Sequence, residues 1–462
     1  MTALAKYFSL HRRYHRSVNL ERDFDNPDAV EGYVLTERSL DALQRMTSAF
    51  ANPKAHRAWT LIGVYGTGKS AFANYLTALC AAKEDKVARQ AWQIAEKSLL
   101  KDSSLLSQMS EVLPSKGLLR CIAVGQREPL SWTIIRALAN GCQAFWSRKH
   151  KPDFFPTLTD WNIEISVGHC QVVSQQVLNM LEQATRAAKT QVLLVLDELG
   201  KNLEYAANHR GTEDLYLLQQ IAELRYKGEF QVHFLGLLHQ SFAGYSERLS
   251  AIEQNEWTKI QGRFESIQFA ESPGQMTRLI GRAIERSACE ASEHVAWVCD
   301  REASAWFKAL EPILGDWGLV EKDVSATYPL HPVTALVLPV LCTRYAQNDR
   351  SLFTFLTSPE PYGLTEFLTS RTLDSDRMPT LQLHQLYDYF VESATGLASR
   401  INLQRWVEIQ GLIQDARTQN EEVLKILKTI GILNLITATG TLKAAPELVA
   451  FSLCDSPMIP RL

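Results

Sequence analysis

The chain has 462 residues, of which 46% are hydrophobic and 21% are charged, and its formal net charge is −3. This balance is typical of a globular protein with about two to four domains. The near-neutral charge gives no support for binding to nucleic acid or to a membrane through overall electrostatics.

Targeting and redox signals are weak in this sequence. The eight cysteines are scattered and include no C-x-x-C pair, which argues against a zinc site or a disulfide framework. No apolar run reaches transmembrane length, and residues 333–342 are interrupted by Pro339. At the N-terminus the basic residues follow the apolar ones, the reverse of a signal peptide, so we expect a cytoplasmic protein without a membrane partner.

The first feature along the chain is a basic segment with aromatic residues, inside a lead-in predicted over residues 1–32. Its members are Lys6, Tyr7, Phe8, His11, Arg12, Arg13, Tyr14, His15 and Arg16. Basic residues interleaved with aromatic ones can follow a nucleic-acid backbone, but they also form solvated amphipathic segments. We favour the second interpretation.

A glycine-rich octapeptide matches the pattern G-x-x-x-x-G-K-[ST] at every fixed position. It consists of Gly63, Val64, Tyr65, Gly66, Thr67, Gly68, Lys69 and Ser70. The apolar run 58–62 before it is typical of a strand, and residues 71–79 after it are typical of a helix. Strand, glycine loop and helix together are the context in which this pattern binds phosphate.

The residue types of this loop explain its chemistry. Glycines let backbone N–H groups close on phosphate oxygens, and the helix that follows at Ala71 adds its positive N-terminal end. Lys69 would reach the β- and γ-phosphates, and the Ser70 hydroxyl would bind Mg²⁺. The sequence therefore predicts ATP and Mg²⁺ at residues 63–71.

A second apolar run, at residues 191–196, ends in Asp197 and Glu198. Ligands of open α/β sheets lie at the carboxyl ends of such strands. Asp197 would hold Mg²⁺ through water, and Glu198 would orient or deprotonate the attacking water. The sequence has no N-K-x-D motif and no L-S-G-G-Q motif, which argues against a GTPase and an ABC-type ATPase. The adjacent acid Glu198 favours a hydrolase over a small-molecule kinase.

Further apolar runs, at residues 117–125, 230–238 and 266–269, alternate with helical patterns such as 131–146 and 170–187. The run 230–238 ends at His239 and Gln240. Strands that alternate with helices predict an α/β fold, in which a parallel five-stranded sheet carries helices on both faces.

With the P-loop and the acidic strand, two later segments make the chain resemble the AAA+ superfamily, in its origin-recognition-complex-like and STAND-like branch. Arg263 and Phe264 precede the fifth strand, and Asp349 and Arg350 precede a lid helix. The resemblance covers about residues 33–356. It implies a P-loop ATPase core over residues 33–272, a helical lid over 273–357 and a further region over 358–462.

The resemblance also implies roles for single residues. Arg263 looks like an arginine finger that reaches the γ-phosphate of a neighbouring subunit, or else it is a surface arginine at a strand edge. Arg350 looks like the sensor-2 arginine of the lid, or else it forms a salt bridge with Asp349. His239 and Gln240 hold the sensor-1 position, where family members often carry Asn, Thr or Ser.

Two more segments are interpreted through the resemblance. Residues 33–35 look like the segment that packs on adenine, or else like a core strand. Residues 421–431 predict a helix closed by Gly431, and residues 432–443 predict strand, turn and strand with residues 439–440 at the tip, which resembles a winged helix. Its lysines are offset by acids, so we expect weak DNA binding or a protein-facing role.

These features leave three functional hypotheses open. The first is an ATP-driven oligomeric switch or motor of the kind found in bacterial conflict (antiphage defence) systems, acting with a separately encoded effector protein. The second is a DNA-binding ATPase that acts as a loader, initiator or transposition regulator. The third is a nucleotide-binding scaffold with little hydrolysis. The near-neutral charge favours the first hypothesis over the second, and the intact pair of motifs argues against the third.

Overall fold

The computed structural model describes the chain except residues 1–2, 12–13, 15–17, 53, 100–102, 148, 210–211, 229, 288–291, 316, 346–351, 374–378, 394–403, 437–441 and 458–462. The chain forms two compact units. The sheet unit is Ser17–Ala270, and the C-terminal unit combines Met1–Arg16 with Glu271–Leu462. The predicted lead-in over residues 1–32 is therefore divided between the two units.

The strands, in chain order, are β1 Phe8–Leu10, β2 Ala58–Ile62, β3 Leu119–Val124, β4 Val192–Asp197, β5 Val232–Leu238, β6 Glu265–Gln268 and β7 Ile284–Arg286. The helices of the sheet unit are α1 Leu20–Asp23, α2 Glu37–Ala51, α3 Lys69–Leu79, α4 Lys86–Ser98, α5 Ser103–Val112, α6 Leu130–Phe145, α7 Phe155–Ser166, α8 Ser174–Ala188, α9 Leu199–His209, α10 Thr212–Glu223, α11 Phe242–Ser246 and α12 Ala251–Gln261. Those of the C-terminal unit are α13 Pro273–Ala283, α14 Ser292–Leu314, α15 Glu321–Ala326, α16 Pro332–Tyr345, α17 Leu352–Thr357, α18 Leu364–Ser370, α19 Leu383–Ser393, α20 Gln404–Asp415, α21 Glu421–Ile436 and α22 Pro446–Ser452.

The sheet unit is built on a parallel five-stranded sheet with the strand order β3-β4-β5-β2-β6. The predicted α/β fold is confirmed. Alternate residues of the central strand β4 enter different hydrophobic clusters, because successive side chains of a strand point to opposite faces. Leu194 and Leu196 belong to one cluster, whereas Leu193 and Val195 belong to the other. Helices therefore cover both faces of the sheet.

The strand order determines what meets at the carboxyl edge of the sheet. Strand β5 lies between β2, which leads into the glycine loop, and β4, which ends in the two acids. The residues that follow β5 are His239 and Gln240. Since all these strands run parallel, their ends reach the same edge, with the end of β5 in the middle.

The described part of the C-terminal unit is mainly helical, and in it β1 and β7 form a short antiparallel pair. Tyr7 and Phe8 are buried in its core, and Tyr14 stacks on Phe353 with 4.6 Å between ring centroids. The described part of the basic N-terminal segment is thus packed against the unit, which differs from the solvated lead-in that the sequence favoured. Arg12, Arg13, His15 and Arg16 lie outside the described residues.

The first strand of the predicted winged helix is wrong. Helix α21 does not end at Gly431 but continues to Ile436, so the predicted first strand is helical. Residues 437–441 lie outside the described part, and residues 442–445 have no regular secondary structure. The physical reason is the buried stripe Thr429, Ile432, Leu433 and Ile436, whose spacing suits one face of a helix.

Among the described residues, no helix is both long enough and apolar enough to cross a membrane.

Candidate nucleotide site

The glycine loop connects β2 to α3, and its backbone takes conformations that need glycine. Gly66 and Gly68 have φ angles of 78° and 87°, in the left-handed region that other residues rarely adopt. At Gly63 the constraint is space, because an added Cβ would lie 2.5 Å from the backbone oxygen of Phe269. Helix α3 begins at Lys69 directly after this turn, so its free N–H groups face the loop.

Lys69 is buried, with 5% of its surface exposed, and its ammonium group lies inside the loop. It donates hydrogen bonds to the backbone oxygens of Gly63 and, at 2.9 Å, of Val64. Burial lowers the pKa of Lys69 to about 8, and the negative charges of Asp197 and Glu198 oppose this shift only in part. The loop thus holds a buried ammonium group whose charged form a nearby anion would stabilise.

The remaining loop side chains are more exposed. Val64 and Tyr65 are 37% and 43% exposed, and the Thr67 hydroxyl donates to the backbone oxygen of Val64 at 3.0 Å. Ser70 and Ala71, in the first turn of α3, are partly buried.

Asp197 ends strand β4 and is almost fully buried. Burial raises the pKa of its carboxyl group, and a hydrogen bond with the Ser70 side chain opposes the shift. The structure therefore brings together the two predicted Mg²⁺ ligands. Among the described residues no group of three or more His, Cys, Asp or Glu side chains could hold a metal ion. A cation here would depend on Ser70, Asp197 and phosphate oxygens, a set of hard oxygen donors that fits Mg²⁺.

Glu198 has an unusual backbone, with a φ angle of 55°. Its N–H donates to Asp197 Oδ1 at 2.9 Å, which fixes the two acids relative to each other. Gly125, at the end of β3, permits this arrangement. Its N–H donates to the backbone oxygen of Asp197 at 2.7 Å, and an added Cβ would lie 2.5 Å from the backbone oxygen of Glu198. Backbone strain of this kind clusters at active sites, which makes Glu198 a candidate catalytic residue.

Two cationic or polar side chains hold the Glu198 carboxylate. His239 Nε2 lies 3.1 Å from Oε1, and Lys201 Nζ lies 3.4 Å from Oε2. The hydrogen bond with His239 is the main cause of a lowered pKa of Glu198. This shift favours the ionised carboxylate, the state that a general base needs.

The predicted sensor residues have different environments. The His239 ring stacks on Tyr65 of the glycine loop, with 3.5 Å between ring centroids and 21° between ring planes. Gln240 is exposed, and its side chain lies over Gly244, where an added Cβ would approach to 2.8 Å. Of this pair, His239 is the residue that contacts another predicted catalytic side chain.

Of the two predicted arginines, the structure describes Arg263, which is not part of this cluster. Arg263 pairs with Glu223, with 2.5 Å between Nε and Oε1, and both side chains are about half exposed, at 48% and 46%. Arg350 lies outside the described residues. Tyr33, in the segment expected at adenine, stacks on Tyr75 of α3 with 4.6 Å between ring centroids, and residues 33–35 do not form a strand.

Sequence reasoning missed two contributors to the site, Gly125 and Lys201. The spacing of Lys201, three residues after Glu198 at the start of a helix, is a signal that could have been noticed. Gly125 gives no such signal, because its role depends on β3 lying beside β4.

The sheet, the glycine loop and the acidic strand end define a P-loop α/β protein. No family model and no curated protein matches the sequence. Among solved structures, the chain is similar to the ORC2 protein of Aeropyrum pernix in its ADPNP–ADP complexes, with 13% identity, a TM-score of 0.33, and coverage of 92% of this chain and 99% of that one. It is also similar to the ORC1 protein of the same organism in complex with DNA, with 15% identity, a TM-score of 0.31, and coverage of 91% and 89%.

Proposed function

We propose that this chain binds ATP with Mg²⁺ and hydrolyses it. The observation that carries the proposal is the convergence of a buried loop lysine, a serine–aspartate pair and an ionised glutamate at one edge of the sheet. The members are Lys69, Ser70, Asp197 and Glu198.

Each residue has a defined task in this proposal. Lys69 would exchange the loop carbonyls for β- and γ-phosphate oxygens, which satisfy a buried ammonium group better than two neutral acceptors. Ser70 and Asp197 would hold Mg²⁺, which neutralises charge on the phosphates when bound. Glu198 would accept a proton from the attacking water, since His239 and Lys201 keep its carboxylate ionised and oriented.

Glu198→Gln tests the hydrolysis step. We expect the rate of phosphate release to fall by about 10²–10⁴-fold, because an amide cannot accept the proton, while ATP binding is retained. The matched control is Glu256→Gln, an exposed glutamate of α12, which should leave the rate unchanged. Phosphate release by the purified protein measures the hydrolysis rate, and calorimetric titration with ATP measures binding. An unchanged rate in Glu198→Gln would contradict the proposal.

We further propose an AAA+-type oligomer in which Arg263 acts on ATP in a neighbouring subunit. A guanidinium group stabilises the charge of phosphoryl transfer, and Arg263 is exposed enough to be exchanged from Glu223 to a phosphate. Arg263→Gln should lower hydrolysis at least tenfold and preserve ATP affinity.

Glu223→Gln is the matched control for Arg263. It breaks the same ion pair but leaves the guanidinium group available, so a finger would keep its activity. Equal losses in the two variants would mean that Arg263 has only a structural role. Mass photometry of Glu198→Gln, with and without ATP and Mg²⁺, would report the assembly itself.

For the cellular role, the near-neutral charge supports an ATP-driven switch of the defence type, with a separately encoded effector, over a DNA loader or initiator. Duplex DNA added to the same mass-photometry experiment separates the two. Assembly that depends on DNA would favour the loader.

A further inference from the structure

Tyr65 occupies a position of the glycine loop at which the phosphate-binding pattern accepts any residue. Its aromatic ring nevertheless lies face to face with the imidazole of His239, at 3.5 Å between centroids. The two residues are far apart in sequence and meet because β5 lies beside β2 in the sheet.

His239 also contacts Glu198, the proposed general base. Its Nε2 lies 3.1 Å from Glu198 Oε1, whereas Nδ1 is buried and has no hydrogen-bond partner among the described residues. Two contacts that orient the ring are therefore the hydrogen bond to Glu198 and the stack on Tyr65. The Tyr245 hydroxyl hydrogen-bonds to the backbone of His239 and Gln240, which holds the main chain but not the ring.

We propose that Tyr65 is a positioning residue for Glu198 and that it acts through the imidazole of His239. The proposal rests on the hydrolysis proposed above, since it concerns the orientation of the same general base. Three strand ends supply the three members, so the loop that surrounds phosphate is connected by direct contacts to the base that activates water. A change of the loop around bound nucleotide would reach Glu198 by this route.

The first test is Tyr65→Ala, which removes the stack. We expect kcat to fall by about fivefold to tenfold, because the imidazole and then the carboxylate lose their fixed orientation, while the Kd for ATP changes less than about twofold. Tyr65→Phe, which retains an aromatic ring, should recover most of the loss. Tyr216→Ala, which removes an exposed tyrosine of α10, is the matched control and should leave kcat unchanged.

The second test is a double-mutant cycle with His239→Ala. If Tyr65 acts through His239, the double variant Tyr65→Ala with His239→Ala should be no slower than His239→Ala alone. Independent, multiplying losses in kcat would overturn the proposal. A loss in ATP affinity equal to the loss in kcat/KM would also overturn it, because Tyr65 would then act on binding.

Failure of the proposed function gives a different result. A wild-type chain without ATP hydrolysis would contradict both proposals. An active wild type whose Tyr65→Ala loss persists undiminished in the Glu198→Gln background would contradict the positioning role alone.

Discussion

At the scale of single residues, the site combines groups whose pKa values move in opposite directions. Burial raises the pKa of Asp197 and lowers that of Lys69, while His239 lowers that of Glu198. Burial thus acts on two of these groups and a hydrogen bond on the third, so one small volume holds a lysine with a lowered pKa and an ionised glutamate. The pKa values of the adjacent acids Asp197 and Glu198 are thereby pushed apart, which is typical of sites that transfer protons.

The lowered pKa of Lys69 leads to a prediction about proton uptake. In the free protein the ammonium group loses its proton around pH 8, and phosphate charges should raise this pKa when a nucleotide binds. At pH 8 we therefore expect uptake of about half a proton per ADP bound, and weaker binding as the pH rises further. Calorimetry in buffers of different ionisation enthalpy measures this uptake.

Lys69→Arg is the matched control, because its guanidinium group stays charged throughout this range. It should bind without proton uptake. Uptake of the same size in Lys69→Arg would mean that another group is responsible.

Much of the site could be predicted because its chemistry is local in sequence. Lys69 and Ser70 are adjacent, as are Asp197 and Glu198, and each pair follows a run that is recognisably a strand. The contact between Glu198 and His239 spans 41 residues, and the stack on Tyr65 spans far more. These contacts depend on the strand order of the sheet, which cannot be predicted from the periodicity of hydrophobic residues.

At the scale of elements, the strands of the sheet were predictable and the end of α21 was not. Buried parallel strands appear as continuous apolar runs, which are easy to find. Residues 432–436 are apolar except for Asn434 and follow a glycine, and such a short run cannot be assigned by periodicity alone. Packing of the helix against its neighbours decided the outcome, since Ile432 and Leu433 are fully buried.

The helical assignment of this segment predicts the effects of two identical substitutions in α21. Ile432→Ala should lower the free energy of unfolding by about 2–5 kcal/mol, because it leaves a cavity at a fully buried position. Ile426, in the same helix, is 39% exposed, so Ile426→Ala should lower the free energy of unfolding by less than about 1 kcal/mol. Urea unfolding of both variants tests the pair, and similar losses would contradict the helical packing.

At the scale of the whole molecule, buried histidines occur in both units. Burial lowers the pKa of His233 and of His331 to about 3 and that of His384 to about 4. In the unfolded chain they would titrate near pH 6.5. Between these values the unfolded state binds more protons than the folded state, so the free energy of unfolding decreases as the pH falls.

We expect each of these histidines to contribute a loss of about 2 kcal/mol between pH 7 and pH 5. His331, which packs against Trp306 and Phe451, is suited to a test. His331→Phe should reduce the change in the free energy of unfolding between pH 7 and pH 5 by about 2 kcal/mol, whatever its effect on stability at pH 7. The exposed His150→Phe should leave the pH dependence as it is. Urea unfolding at both pH values provides the comparison, and equal pH dependence in the two variants would contradict the prediction.

The pairing of β1 with β7 has a consequence for how the chain can be divided. Because the first 16 residues belong with residues 271–462, the sheet unit has the covalent position of an insert within another unit. A fragment that starts at residue 1 and stops at residue 270 would carry a strand that has lost its partner, whereas one that starts at residue 17 would not. Likewise, a protease that cuts once near residue 270 would leave the sheet unit covalently joined to residues 1–16, which belong to the other unit, so a second cut near residue 17 is needed to separate the two units completely.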